Sequence, residues 1–153
     1  MSAKRPHLLL VEALFYEHIA TDLRRGAERA VAEAGATCEV ISVPGSFEVP
    51  VAIAMAAKAD ARYDGYVALG CVIRGETTHY DHICNETARA IQDLGSRDGL
   101  AVGFGILTCE DEAQALVRAS PALDHGGRDQ GGRAVRACLA LVELKRRLAE
   151  GGR

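Results

Sequence analysis

Short apolar runs alternate with helical stripes along the chain, and their order predicts the fold. Runs at 8–11, 38–43, 66–73 and 100–107 are predicted strands. All but the second are apolar almost continuously, which is typical of a parallel sheet covered on both faces. Residues at helical spacing form two clear stripes: Ile19, Leu23, Ala27, Ala30 and Ala34 early in the chain, and Val135, Cys138, Leu139 and Val142 near its end. The pattern predicts an α/β fold with a central four-stranded parallel sheet and helices on both faces.

Proline and glycine indicate where the helices begin and end. Pro50 fits the first turn of a helix that begins near Phe47, and Gly35 stands where the first helix should end. A further helix is predicted to begin near His79. The glycine-rich stretch at 124–132, before the last helix, is interpreted as a flexible loop.

Composition narrows the class of protein. A chain of 153 residues matches one ordinary domain, so we expect residues 1–153 to form a single domain. With 48% hydrophobic and 25% charged residues and a net charge of −3, the profile is that of a globular protein, and we expect it to be cytoplasmic. No apolar run approaches the roughly 20 residues of a membrane span. Lysine and arginine are scattered, which disfavours nucleic acid as a partner.

Cysteine and histidine spacing argues against a metal site. The five cysteines are odd in number and contain no C-x-x-C pair, so neither a zinc site nor a disulfide framework is predicted. Cys71 and Cys109 follow buried strands and are interpreted as packing residues rather than nucleophiles. His79 and His82 lack a third ligand in sequence. The motifs of P-loop nucleotide hydrolases and of serine acyl transferases are absent.

The densest group of polar residues follows the third predicted strand, in the segment 70–81. Ligands of open α/β sheets bind at the carboxyl ends of strands. Residues 75–78 precede the predicted helix, whose free backbone N–H groups would form an anion site; the alternative is that Thr77 or Thr78 merely caps the helix. His79 is suited to move protons near neutral pH, and its alternative is a solvent-facing helix residue.

Four segments together resemble one family, the 6,7-dimethyl-8-ribityllumazine synthases. They are 43–50 (VPGSFEVP), 68–81 (ALGCVIRGETTHYD), 84–86 (CNE) and 104–108 (FGILT). The resemblance covers nearly the whole chain and implies a flavodoxin-like three-layer sandwich. It also implies a transferase that condenses 5-amino-6-(D-ribitylamino)uracil with 3,4-dihydroxy-2-butanone 4-phosphate, with release of phosphate and no redox cofactor or metal. Two alternatives stay open: a non-catalytic flavin- or lumazine-binding oligomer, and a flavodoxin-like electron carrier.

The resemblance also implies a role for individual residues. Phe15 would stack on the pyrimidine, and the pocket would be lined by Ser46, Phe47, Glu48 and, through their backbone, Cys71, Val72 and Ile73. Glu76 and Thr77 would hold the phosphate, and His79 would transfer protons. The neighbouring subunit of a pentameric ring would contribute Phe104 as an aromatic wall and Arg118 as a phosphate ligand. Taken singly, Phe15 and Phe104 could instead be core aromatics, and Arg118 a solvated helix residue.

Two positions depart from the family. Its members commonly read Arg-Phe-Asn where this chain has Leu14-Phe15-Tyr16, and an expected lysine before the last helix is replaced by Gln130. A cationic contact near the phosphate would then be missing. Free pentamers, decamers of paired rings and sixty-subunit shells all stay open, with the free pentamer favoured.

Overall fold

A computed structural model describes residues 4–59 and 62–151. Residues 1–3, 60, 61, 152 and 153 of the predicted domain lie outside the described residues. Strands and helices alternate in the order β1 (His7–Ala13), α1 (Glu17–Glu33), β2 (Thr37–Val43), α2 (Val49–Ala59), β3 (Gly65–Ile73), α3 (His79–Ser96), β4 (Val102–Cys109), α4 (Glu112–Ala119) and α5 (Gln130–Ala149). Short 3-10 turns at Ser46–Glu48 and Leu123–His125 precede α2 and α5.

The four strands form one parallel sheet in the order β2-β1-β3-β4. Strands β1 and β3 lie at its centre and are buried almost throughout, whereas β2 is an edge strand with several exposed residues. This explains why the second predicted run is less continuously apolar than the others. The predicted four-stranded parallel sheet is confirmed.

Two hydrophobic cores lie on opposite faces of the sheet. Alternate residues such as Leu8 and Leu10 pack with α1, α4 and α5, whereas Leu9 and Val11 pack with α2 and α3. Because both faces are covered, both sets of side chains in a central strand must be apolar. The result is the three-layer α/β arrangement of a flavodoxin-like fold, as predicted.

Most predicted helix limits agree with the structure. Gly35 adopts a left-handed φ of 69° directly after α1, and its N–H donates to the carbonyl oxygen of Ala32 at 3.0 Å. The N–H of Ala36 donates to the carbonyl oxygen of Val31 at 3.0 Å, which completes a Schellman motif. Pro50 is the second residue of α2. Strand β4 begins at Val102, two residues later than predicted. The Leu100 N–H instead donates to the Leu94 carbonyl oxygen at 3.1 Å, in the turn that follows α3.

The interpretation of 124–132 as one flexible loop is wrong for its last part. Asp129 is buried and caps α5, with Oδ1 accepting from the Gly132 N–H at 3.1 Å. Gly131 lies against α1 so closely that an added Cβ would stand 2.1 Å from the Leu23 carbonyl oxygen. The glycines therefore serve close packing of α5 on α1. None of the helices in the described ranges is both long and apolar enough to cross a membrane.

Candidate active site

A pocket of about 420 Å³ opens at the carboxyl edge of the sheet. Its walls come from the loops after β1 and β2, the last three residues of β3 and the first turns of α3. The carboxyl ends of the strands are where ligands bind in open α/β sheets. It is lined by Phe15, Tyr16, Gly45, Ser46, Phe47, Glu48, Cys71, Val72, Ile73, His79 and Ile83. Eight of the predicted site residues therefore line one pocket: Phe15, Ser46, Phe47, Glu48, Cys71, Val72, Ile73 and His79.

Gly70 allows the loop after β2 to lie across β3 and form the pocket floor. A Cβ at Gly70 would stand 2.7 Å from Ser46 Oγ, so a larger residue would push this loop away. Ser46 is buried, and its hydroxyl has no hydrogen-bond partner among the described residues. A buried hydroxyl without a partner costs free energy, and a polar atom of a ligand in the pocket would supply the missing partner.

Two phenylalanine rings at the mouth of the pocket are exposed. Phe15 is 73% exposed and Phe47 is 51% exposed, so the alternative of a core aromatic does not hold for Phe15. The Phe15 ring meets the Tyr16 ring edge-to-face, with centroids 4.9 Å apart. Burial raises the pKa of Tyr16, and nearby Cys71 and Glu112 add to the shift. Exposed rings beside a cleft present faces on which a flat ligand can stack.

His79 is the first residue of α3 and joins the pocket to the loop at 74–78. Thr78, at the N-cap, makes no side-chain capping bond, and Thr77 Oγ1 accepts from the His79 N–H at a long 3.3 Å. A simple capping role is therefore weak for either threonine. N–H groups of a first helical turn have no acceptor within the helix and can bind an anion. Glu76 and Thr77 are exposed in this loop, next to the pocket rather than lining it.

The thiols near the pocket are poor nucleophiles. Burial, with a further contribution from Cys109, raises the pKa of Cys71 to about 12. Burial also raises the pKa of Cys109. The packing interpretation of both residues agrees with this. All five cysteines are free, and the part of the chain that the structure describes holds no group of three or more His, Cys, Asp or Glu residues that could bind a metal ion.

Phe104 and Arg118 do not line this pocket. Phe104 is 47% exposed and lies in a groove of about 710 Å³ between α3, the β4 edge and α5, so it is not a core aromatic. Arg118 is half-buried on α4, where Nη1 donates to the Gln114 carbonyl oxygen at 3.1 Å. Its charge opposes the rise in the pKa of Cys109, which places Arg118 near the end of β4. One chain alone brings neither residue to the His79 pocket.

Three lining residues were not singled out from the sequence. Tyr16 directly follows Phe15, and Gly45 precedes Ser46, so both share a loop with a predicted residue. Ile83 lies one helical turn after His79, on the same side of α3. The four-residue spacing from His79 was a signal that could have identified it.

The sequence profile of the 6,7-dimethyl-8-ribityllumazine synthase family matches residues 5–146, nearly the whole chain. The chain belongs to this family. Among similar lumazine synthases, that of Agrobacterium fabrum is 51% identical over 148 residues, covering 94% of this chain and 97% of the relative. That of Novosphingobium aromaticivorans is 52% identical over 139 residues, covering 91% and 96%. A protein named 6,7-dimethyl-8-ribityllumazine synthase 1 from Rhizobium meliloti is 49% identical over 149 residues, covering 95% of each chain. The similarity extends through the segments that line the pocket.

Proposed function

We infer that this enzyme is a transferase that condenses 5-amino-6-(D-ribitylamino)uracil with 3,4-dihydroxy-2-butanone 4-phosphate to give 6,7-dimethyl-8-ribityllumazine and phosphate. One observation carries the assignment. In a chain of this family, His79 stands at the start of α3 in the same pocket as Phe15, Ser46, Phe47 and Glu48. A proton-transferring side chain, a stacking surface and polar groups for a substrate therefore converge in a single cleft.

The proposed pyrimidine subsite lies between the loops after β1 and β2 and the end of β3. The exposed ring of Phe15 would stack on the pyrimidine, and Phe47 and Glu48 would line its ribityl side. The unpartnered hydroxyl of Ser46 supports this placement because a ligand would satisfy it. Cys71, Val72 and Ile73, at the end of β3, would contribute backbone groups, since a strand that ends at a pocket leaves N–H and C=O groups free.

The proposed phosphate subsite is the loop that leads into α3. Glu76 and Thr77 would hold the phosphate through backbone N–H groups, aided by the positive end of the helix dipole. His79, the first residue of α3 after this loop, would transfer protons during imine formation and phosphate departure. Its placement beside a bound anion suits both steps, because charge develops on the leaving phosphate while a proton moves.

The proposed assembly is a homo-oligomer in which a neighbour completes each site. Two different apolar surfaces flank α3: the exposed side of α2, with Val51 and Met55, and the β4-edge groove, with Phe104 and Leu141. Dissimilar patches pair head-to-tail, and such contacts form a ring when the rotation between neighbouring protomers closes. A pentameric ring in which Phe104 and Arg118 reach the next protomer's pocket accounts for their position outside the His79 pocket. The free pentamer remains the favoured form.

The proposed domain comprises the whole chain, 1–153, because one sheet carries both hydrophobic cores. A cytoplasmic location is proposed with it. Five thiols without a disulfide support this location, since reducing compartments keep cysteines unpaired.

An assay with both substrates separates this function from binding alone. The purified chain is mixed with the two substrates, and lumazine absorbance is followed against a sample without protein and samples lacking either substrate. The enzyme forms lumazine above the protein-free rate. A non-catalytic oligomer would bind added lumazine yet form none above that rate, and this result would reject the proposed reaction.

A further inference from the structure

Arg74, the first residue after β3, connects three parts of the molecule next to the proposed site. Its backbone N–H donates to the Cys109 carbonyl oxygen at 2.9 Å, and its Nε donates to Glu110 Oε2 at 2.7 Å, both at the end of β4. On the other side its guanidinium lies 4.3 Å from the centroid of the Tyr80 ring, and Nη1 lies 3.5 Å from Asp81 Oδ1. Arg74 does not line the pocket.

These contacts tie the loop at 74–78 to both of its supports. The loop begins at Arg74 and ends at the first turn of α3, and the Arg74 side chain reaches that turn directly through Tyr80 and Asp81. Those two residues follow His79 in sequence. Because side chains of one helical turn move with their backbone, fixing Tyr80 and Asp81 against β4 also fixes the base of the His79 side chain.

The chemistry of arginine fits this task. A planar guanidinium can stack on an aromatic ring while its edges donate to two carboxylates, which an ammonium group cannot do. Surface ion pairs taken singly contribute little to stability, so a network of this kind on an exposed loop points to geometry rather than to stability.

We propose that Arg74 is a positioning residue for the condensation: it holds the first turn of α3, and with it the His79 imidazole, in the reacting orientation without touching either substrate. The inference rests on the proposed function of His79. Near-attack geometry is sensitive to displacements of about 1 Å, which can lower rates by about 10²-fold.

The test begins with Arg74→Met, which keeps the aliphatic stem and removes every side-chain donor. The expected result is a fall in kcat of about 10- to 100-fold, with the KM for the pyrimidine substrate within about twofold of wild type. Arg74→Lys should recover part of kcat because it restores a cation but not the stack. The matched control is Arg146→Met, since Arg146 also bridges two carboxylates, Glu143 and Glu150, but on α5. Its kcat should equal that of wild type.

A second background shows whether Arg74 acts through His79. In a protein that already carries His79→Gln, adding Arg74→Met should change kcat by no more than about twofold, because the group being positioned is gone. An equal fall of kcat in both backgrounds would overturn the proposal and indicate a general effect on folding. An unchanged kcat in Arg74→Met alone would overturn it as well.

Two further measurements keep the test decisive. If Arg74→Met does not fold, Glu110→Ala removes the acceptor of the Arg74 Nε–H and should lower kcat about threefold or more; wild-type kcat in that variant would overturn the proposal. If the wild-type protein forms no lumazine, the proposed function fails separately.

Crystal structures of the wild type and of Arg74→Met test the positioning role even in that case. A displaced His79 ring in the variant supports positioning, and an unmoved ring contradicts it.

Discussion

Mixing two inactive variants tests whether Arg118 serves the pocket of a neighbouring protomer. On the proposed mechanism, His79→Gln would disable the pocket of its own chain, whereas Arg118→Ala would disable the pocket of the next chain. The reason is structural: Arg118 lies on α4 near the end of β4, outside the pocket that His79 lines. Co-expression of both variants from one plasmid, in equal amounts, should therefore regenerate intact sites in mixed rings.

The size of the recovery follows from the proposed head-to-tail arrangement. A site is intact when its pocket chain carries His79 and its neighbour carries Arg118, each with a chance of one half. About a quarter of the sites are then intact, whatever the number of subunits in the ring. The parents should be far weaker, because losing a general acid or base lowers turnover about 10²-fold or more. Losing a charged hydrogen bond to phosphate weakens binding by about 10- to 100-fold.

The assay is lumazine formation per protomer, measured with the phosphate substrate below its KM in the wild type. Activity near a quarter of wild type supports a shared site. As a control, His79→Gln is mixed with Phe15→Ala, which changes the same pocket and should give no recovery. If the His79→Gln and Arg118→Ala mixture shows only the mean of its parents, Arg118 does not act on a neighbour, and the shared-site account is wrong.

Three further predictions concern single residues. His79→Gln should lower kcat about 10²-fold or more while leaving ring assembly intact, as steady-state kinetics and light scattering would show; unchanged turnover would remove its proposed role. Gly131→Ala should destabilise the protein by about 3 kcal/mol in urea unfolding, because the new Cβ would lie 2.1 Å from the Leu23 carbonyl oxygen. Gly95→Ala, in α3 with only an ordinary 3.6 Å contact, should be neutral or stabilising by up to about 1 kcal/mol at the same protein concentration; equal effects at both glycines would contradict this. Cys71, with its pKa raised from 9.0 to about 12, should resist iodoacetamide at pH 8 and react once the protein is denatured, because its thiolate fraction in the fold is about a thousandfold lower; rapid labelling of native Cys71 by mass spectrometry would contradict the pKa shift.

The sheet could be predicted from the sequence because its central strands have an unambiguous pattern. Strands β1 and β3 are apolar on both faces since a core covers each face, and this leaves a continuous run in the sequence. Gly35 marked the end of α1 because a Schellman motif needs a left-handed residue there. At these positions the local sequence pattern and the tertiary structure favour the same conformation, so the pattern alone was enough.

The stretch before α5 could not be predicted because glycine has two uses. Chain flexibility and close packing both favour it, and only the contact of Gly131 with α1 distinguishes the second use. Asp129 likewise looks like a polar loop residue in sequence, yet it is buried as a helix cap with Arg29 nearby at 3.4 Å. Both roles depend on a partner in α1, which lies 100 residues or more away along the chain.

The candidate site also has a part that could be predicted from the sequence and a part that could not. The residues that line the pocket lie at or just after the carboxyl ends of β1, β2 and β3, or at the start of α3. A parallel sheet must bring these places to one edge, so topology alone places Phe15, Ser46 and His79 together. Phe104 and Arg118 lie on other surfaces of the chain, where the sequence gives no indication of what faces them. Their assignment to the site depends on the family resemblance and on the proposed ring.

A crystal structure of the assembled protein with 6,7-dimethyl-8-ribityllumazine and inorganic phosphate tests the central claim most directly. The account predicts the lumazine ring stacked on Phe15, and phosphate at the first turn of α3 within hydrogen-bond distance of His79 and of Arg118 from the adjacent protomer. Lumazine bound elsewhere, or phosphate with no arginine from a neighbour beside it, would contradict the account.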